Sequence, residues 1–570
     1  MRTFIVCSFL SLTLACTGAF SGAPAESAPA EDSVPEAKAP TAPTANTDTP
    51  PDSTEPGEPP SIDPEPVAPE TPPGPPVYLP AGIRRLSQAE VSTAAAALLG
   101  VPATDFATAI GSDLRQSGFT RNADQRVGSV QAEAMWRSVP TLAHEAVSTR
   151  LTTLAPCATT PGTETCAQTF IHAFGARAFR RALSAAEESA LLTVYRTGAT
   201  EATYADGIEL TITAMLQSAS FLYVTELGRS ATDATTTLAG DELATQLSLL
   251  FTGAPASEQL MAKGLAGMLD TADGREQAAR ELIATPEAKA QLQRLMLEWT
   301  GVDSVDQAGK DSGLFPEWPN VKSDVLAESR SIVDSVLFAG DGTLRSMLST
   351  SNTNVTPTLA AFYGLTESGP MVQPAYRRGL LLAGGFAAAN SHFTDTAPIR
   401  RAAMVRKKVL CQELPLPSAA GLTITVPPPD PTLTTRERFS VHSQSATCAG
   451  CHKMLDPIGF ALESFDAVGR YRTTENGKPI DPSGSLVNAG DAEGDFTDAV
   501  GLTSLLAGSK TVSQCFQHQL FRFASGRSGV EEERTWLDFV RARPSGEEGK
   551  IIELLIDYAR SDSFALRRNQ

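Results

Sequence analysis

A mainly α-helical, multidomain body behind a disordered proline-rich stalk is the fold class this sequence predicts, and three observations carry it. Aromatic residues make up only 6% of the 570 positions while alanine and leucine are plentiful, which suits helices better than a β-sandwich. Apolar residues recur at helical spacing. Phe170, Ile171, Phe174, Ala178 and Phe179 share one face. Leu292, Leu295, Met296 and Trp299 share another, with Lys289, Gln291 and Arg294 outside it, and Ile551, Leu554, Leu555 and Tyr558 form a third. The third observation is a break in composition: residues 17–80 hold 18 of the 40 prolines and eleven Asp/Glu against one Lys. At roughly 150 residues per domain the chain has room for three or four domains.

The N-terminus comes first in order. Met1-Arg2 is a short cationic start, and Phe4 to Ala15 is an apolar run of twelve, too short to span a membrane and suited to a signal h-region. It ends Leu12-Thr13-Leu14-Ala15-Cys16. This resembles a bacterial lipobox, in which Cys16 is lipidated and becomes the mature N-terminus, with Thr13 standing where the pattern usually has Leu. The other reading is an ordinary signal peptide cut near Ala19 or Gly22. On the lipoprotein reading, 1–15 is the signal peptide and 16–80 an acidic linker. Thr17 in place of Asp implies, by resemblance to lipoprotein sorting, the outer membrane, facing the cell surface or the periplasm.

The stretch TPPDSTEPGEPPSIDPEPVAPETPPGPP has little to bury and should be extended and self-repelling. Residues 17–80 together carry about half of the net charge of −19. An acidic chain of this kind argues against nucleic acid as a partner, which needs a positive face. Among later apolar runs the longest, Gly379 to Ala389, is short enough to be a buried core segment. No Gly-rich phosphate loop and no G-x-S-x-G occurs.

The eight cysteines are 7, 16, 157, 166, 411, 448, 451 and 515. Cys7 leaves with the signal and Cys16 would be the anchor. Cys448-Ala449-Gly450-Cys451-His452 is C-x-x-C-H, the attachment signature of c-type haem. With 8 Cys and 6 His in the chain, chance would produce it on the order of 0.001 times. The rivals are a redox dithiol, which wants a βαβ context, and a zinc site completed by His442. Two thioethers would use Cys448 and Cys451, leaving four cysteines in an oxidising compartment. Cys157 and Cys166 flank an eight-residue loop and suit a local disulfide. Subtraction leaves Cys411 with Cys515, a pairing that sequence alone does not prove.

In such a site His452 is the proximal iron ligand and the thioethers hold the macrocycle. Met454 lies two residues beyond His452 and does not easily reach the opposite face. His442, ten residues upstream, ranks first as distal ligand, ahead of a distant Met such as Met404. That His442 only caps or hydrogen-bonds stays open. His518 falls off the apolar face made by Val512, Cys515, Phe516, Gln519, Leu520 and Phe523 and should be solvated. Asp456-Pro457 marks a turn. Phe460, Leu462 and Phe465 wall a haem pocket or are plain core; Arg470 and Arg472 meet haem propionates or stand exposed.

The string TRERFSVHSQSATCAGCHKMLDPIGFALESFDAVGRYR resembles a family of large secreted bacterial cytochrome-c-like proteins. They are built from domains of unknown function numbered 1587, 1595, 1592, 1588 and 1585. RRLSQAEVSTAAAALLG and GFTRNADQ place the first module at 81–150. CAQTFIHAFGARAFRRALSAAEES places the second at 151–230. ELTITAMLQSASFLYVTELG, at the end of that span, and ELIATPEAKAQLQRLMLEWTGV suggest the third, taken as 231–375. RRGLLLAGGF opens a haem-attachment module at 376–488, and VSQCFQHQLFRFASGR marks a C-terminal helical module at 489–570. Relatives often place Met immediately before Asp-Pro, where this chain has Leu455.

The resemblance implies a helical, exported protein and leaves its activity open. The function expected from the residues is an exported surface lipoprotein bearing one covalent haem c. It would act in electron transfer or redox chemistry with a partner protein or a small-molecule donor or acceptor, and meet the membrane through its lipid. The alternatives are a surface protein that binds or helps degrade polymers, with structural haem or metal, and a haem-dependent oxidoreductase acting on a small molecule. Whether it is an enzyme is left open.

Overall fold

The computed structural model describes residues 75–157, 163–200, 202–414, 427–428, 430–444 and 446–569. The signal segment, Cys16 and stalk residues 17–74 lie outside the described residues; the last stalk residues pack on the body, with Leu79 buried and Val77 N–H donating to Thr535 Oγ1 at 2.8 Å. The fold is mainly α, with helices over 61% of the chain and a few short strands.

Local chemistry starts many of these helices. Ser87 caps Gln88–Leu99 and Glu90 closes the reciprocal bond. Ser184 with Glu187, and Thr203 with Asp206, do the same for Ala185–Ala199 and Tyr204–Gln217. The helical stripes face inward: Phe170 and Phe174, Leu295 and Trp299, and Leu555 and Tyr558 are all buried. Gln291 departs from its expected place outside the stripe. It is buried and its amide donates to the carbonyls of Leu249 and Leu250 at 3.2 and 3.3 Å, satisfying the end of helix Gly240–Thr252.

Two apolar clusters form the interior. One gathers Val91, Phe106, Val139, Phe170, Ile212 and Phe221. The other runs from Leu243 through Trp299, Val325 and Phe386 to Ile458, Leu520 and Tyr558. Helix Gly240–Thr252 serves both, giving Leu249 to the first and Leu247 and Leu250 to the second. Gly379 to Ala389 is buried throughout, as a core segment should be. Among the described residues no helix is long and apolar enough to cross a membrane.

The strands are antiparallel pairs. Gly82–Arg85 pairs with Tyr223–Glu226, and Leu566–Arg568 pairs with Thr235–Thr237. Around them lies a buried ionic network. Arg567 Nε donates to Glu226 at 2.8 Å, Arg527 lies 3.3 Å from the same carboxylate, and Arg84 grips Glu90 with two bonds of 2.7 and 3.0 Å.

Candidate functional site

Helix Ala446–Ala461 carries Cys448, Cys451 and His452. At i, i+3 and i+4 the three side chains leave the same side of the helix. Helix Thr435–Gln444 packs against it, and the Arg436 guanidinium lies 4.8 Å from the centre of the Phe460 ring. Helix Pro398–Met404 packs on it as well. Gly459 permits that approach, since a Cβ there would sit 2.7 Å from the Pro398 carbonyl oxygen.

Cys448 and Cys451 are half-buried free thiols. The other described cysteines are bonded, Cys157 to Cys166 and Cys411 to Cys515. The second bridge ties helix Lys510–Ser525 to the segment that follows the π-helical turn Val405–Val409.

His452 Nδ1 stands 2.7 Å from Asp456 Oδ1, one helical turn on. Asp456 is only 5% exposed. Between the two, the Met454 carbonyl accepts Nη2 and Nε of Arg406 at 2.9 and 3.2 Å, and Arg406 is fully buried. Asp456-Pro457 is therefore no turn: both residues lie inside the helix. Proline's fixed φ is compatible with helix, and what it removes is one N–H and one ladder bond. Asp456 is the residue that reading as a turn missed. Its signal was the His-x-x-x-Asp spacing, which on a helix means contact.

Four domain models match the chain, each described as a protein of unknown function. DUF1595 matches residues 166–226, DUF1592 matches 238–365, DUF1588 matches 377–475 and DUF1585 matches 493–564. The chain belongs to the family that combines these domains. No curated protein and no solved structure matches it. Cys448, Cys451 and His452 all fall in the DUF1588 segment.

The remaining expected residues separate from one another. His442 is on helix Thr435–Gln444, next to the motif helix, and its side chain lies outside the described residues. Met404 packs beside Gly301, where its Cε would be 2.6 Å from a Cβ. Met454 is half-buried, and Asn488 Nδ2 approaches its sulfur at 3.6 Å. His518, in the DUF1585 segment, is not simply solvated. Its Nδ1 pairs with Glu533 at 2.9 Å because helix Val530–Arg541 covers that flank.

Leu462 and Phe465 belong to the large apolar cluster, and Phe460 is buried under Arg436. Arg470 pairs with Asp466 at 2.7 Å and Arg472 with Glu463 at 2.8 Å, so neither stands alone at the surface. Burial pushes the Glu463 carboxyl up, against the pull of Arg401 and Arg472. Among the described residues no group of three or more His, Cys, Asp and Glu converges as a metal ion would need.

The donor chemistry fits a covalent haem. Two half-buried cysteines outside any disulfide and an imidazole share one side of a helix, and a buried carboxylate meets that imidazole at Nδ1. With Nδ1 engaged by Asp456, Nε2 is the ring nitrogen through which His452 would bind such a group.

Proposed function

We propose that this protein is an exported surface lipoprotein with one covalent haem c, acting in electron transfer with a redox partner protein or a small-molecule donor or acceptor. Cys448 and Cys451 would each add S–H across a vinyl double bond, sulfur to one carbon and hydrogen to the other. His452 would bind iron through Nε2, and His442 is the proposed distal ligand. The bound group supplies a one-electron couple; the chain supplies its attachment, orientation and shielding. Cys16 would tether the molecule to the outer membrane, with 16–80 as spacer.

The single observation behind the reading is the C-x-x-C-H triplet on one side of a helix, with His452 held by Asp456. The test is expression of the full chain in a strain competent for haem attachment. Purified protein should be red, with a sharp reduced absorption band and the added mass of one haem. His452→Ala should lose the native haem spectrum while far-UV circular dichroism stays helical. Colourless protein with titratable thiols at both cysteines overturns the proposal.

A further inference from the structure

We propose that Asp456 is the positioning residue of the haem-iron ligand: its carboxylate fixes the Nδ1–H form of His452, turns Nε2 toward iron and raises the donor strength of the ring. The inference rests on the haem reading above and goes beyond it, since the attachment motif ends at His452.

The geometry carries the argument. His452 and Asp456 are 2.7 Å apart and one turn apart on the same helix, so their alignment depends on no loop. A carboxylate only accepts, so the hydrogen sits on Nδ1. Asp456 is buried, and a hydrogen bond to a charged acceptor in that setting is shorter and stronger than one exposed to water.

The local backbone is braced as well. Arg406 clamps the Met454 carbonyl between the two residues, and Pro457 follows directly with a fixed φ. A ligating imidazole whose other N–H goes to a carboxylate is more basic. A more basic axial ligand favours ferric over ferrous iron, so the pair sets a low reduction potential. An aspartate kept only for packing would do none of this.

Spectroelectrochemistry of the haem-loaded full chain separates the two roles. Asp456→Asn keeps an oxygen acceptor and removes the charge. The ferric–ferrous equilibrium should shift about tenfold toward ferrous, about 59 mV upward for one electron. Asp456→Glu should restore part of the shift.

The second readout needs no haem. In a Cys448→Ser/Cys451→Ser chain, nitrogen-15 NMR of His452 should show the Nδ1–H form. Adding Asp456→Ala should convert it toward the Nε2–H form that dominates in water. A haem-loaded Asp456→Asn protein with unchanged potential overturns the inference while the haem reading stands. A wild type that never binds haem yet shows the Nδ1–H form overturns the haem reading, and the claim about iron falls with it.

Discussion

Arg401→Met should lower the melting temperature of the protein by several degrees, and the size of the drop follows from what the guanidinium holds. Arg401 is fully buried on helix Pro398–Met404. Its Nη1 donates to the carbonyls of Leu462 and Phe465 at 2.7 and 2.8 Å. Its Nη2 donates to Ser391 Oγ and to the Asp466 carbonyl, both at 2.8 Å. Glu463 lies 3.6 Å away. Burial pulls the guanidinium down to about 10, so it is still charged at neutral pH.

Methionine fills similar volume and donates nothing. Removing one partner from a buried charged cluster costs about 3–5 kcal/mol. A body of about 500 residues, at about 2.1 cal/mol/K per residue, unfolds with an entropy of about 1 kcal/mol/K, so the expected drop is about 3–5 °C. Thermal melts followed by far-UV circular dichroism read it directly. Arg401→Met/Glu463→Gln should recover little of the loss, because Glu463 keeps Arg472 at 2.8 Å and the Thr396 hydroxyl at 2.7 Å when Arg401 is gone. A single variant melting within about 1 °C of wild type would refute the reasoning.

Three more expectations use the same melts. Burial opposes ionisation of Glu226 and Glu90, but Arg567 and Arg527 around the first and Arg84 and Arg121 around the second outweigh it and hold both carboxyls at about 2, below the ordinary 4.5. Their stabilisation is complete above about pH 4.5 and is lost as pH falls toward about 2, so melting temperatures should fall over that window, less steeply in Glu226→Gln. Gly459→Ala drives a methyl into the Pro398 carbonyl and should cost about 1–3 kcal/mol; an unchanged melt would mean the helices move apart freely. Breaking Cys411–Cys515, which closes a separation of 104, should cost more than breaking Cys157–Cys166, which closes 9: about 4.7 against about 2.6 kcal/mol by loop entropy.

The legible part of this protein was local. Leu292, Leu295, Met296 and Trp299 announce a helix because 3.6-residue periodicity survives in any context. The partners of polar groups did not survive that way. Gln291 looked solvated beside its stripe, yet it satisfies carbonyls about forty positions earlier. His518 looked solvated until a later helix brought Glu533 over it. Arg401 and Arg406 sit in the basic run 400–408, which resembles a surface, and both are fully buried. At the site, the C-x-x-C-H letters were readable from sequence, and the structure places them on one helix. Asp456 was hidden because Asp-Pro carries a strong turn signal, and only the helix around it turns the spacing into contact.

Those buried arginines explain how the motif helix is supported. Arg406 bonds the Met454 carbonyl in its middle, and Arg401 bonds the carbonyls of Leu462, Phe465 and Asp466 where it ends. Arg377, also buried, extends the pattern to the Gly469 carbonyl at 2.7 Å. A planar fork with five donors can serve several backbone oxygens at once, which a lysine cannot match geometrically. Backbone oxygens, unlike side chains, cannot rotate away, so each bond fixes the path of the chain itself. The bracing therefore falls largely on backbone carbonyls, while the Asp456 side chain meets His452 at 2.7 Å. Side chains that act together from one side of a helix need that helix held in register, and arginines rooted in the core supply that hold.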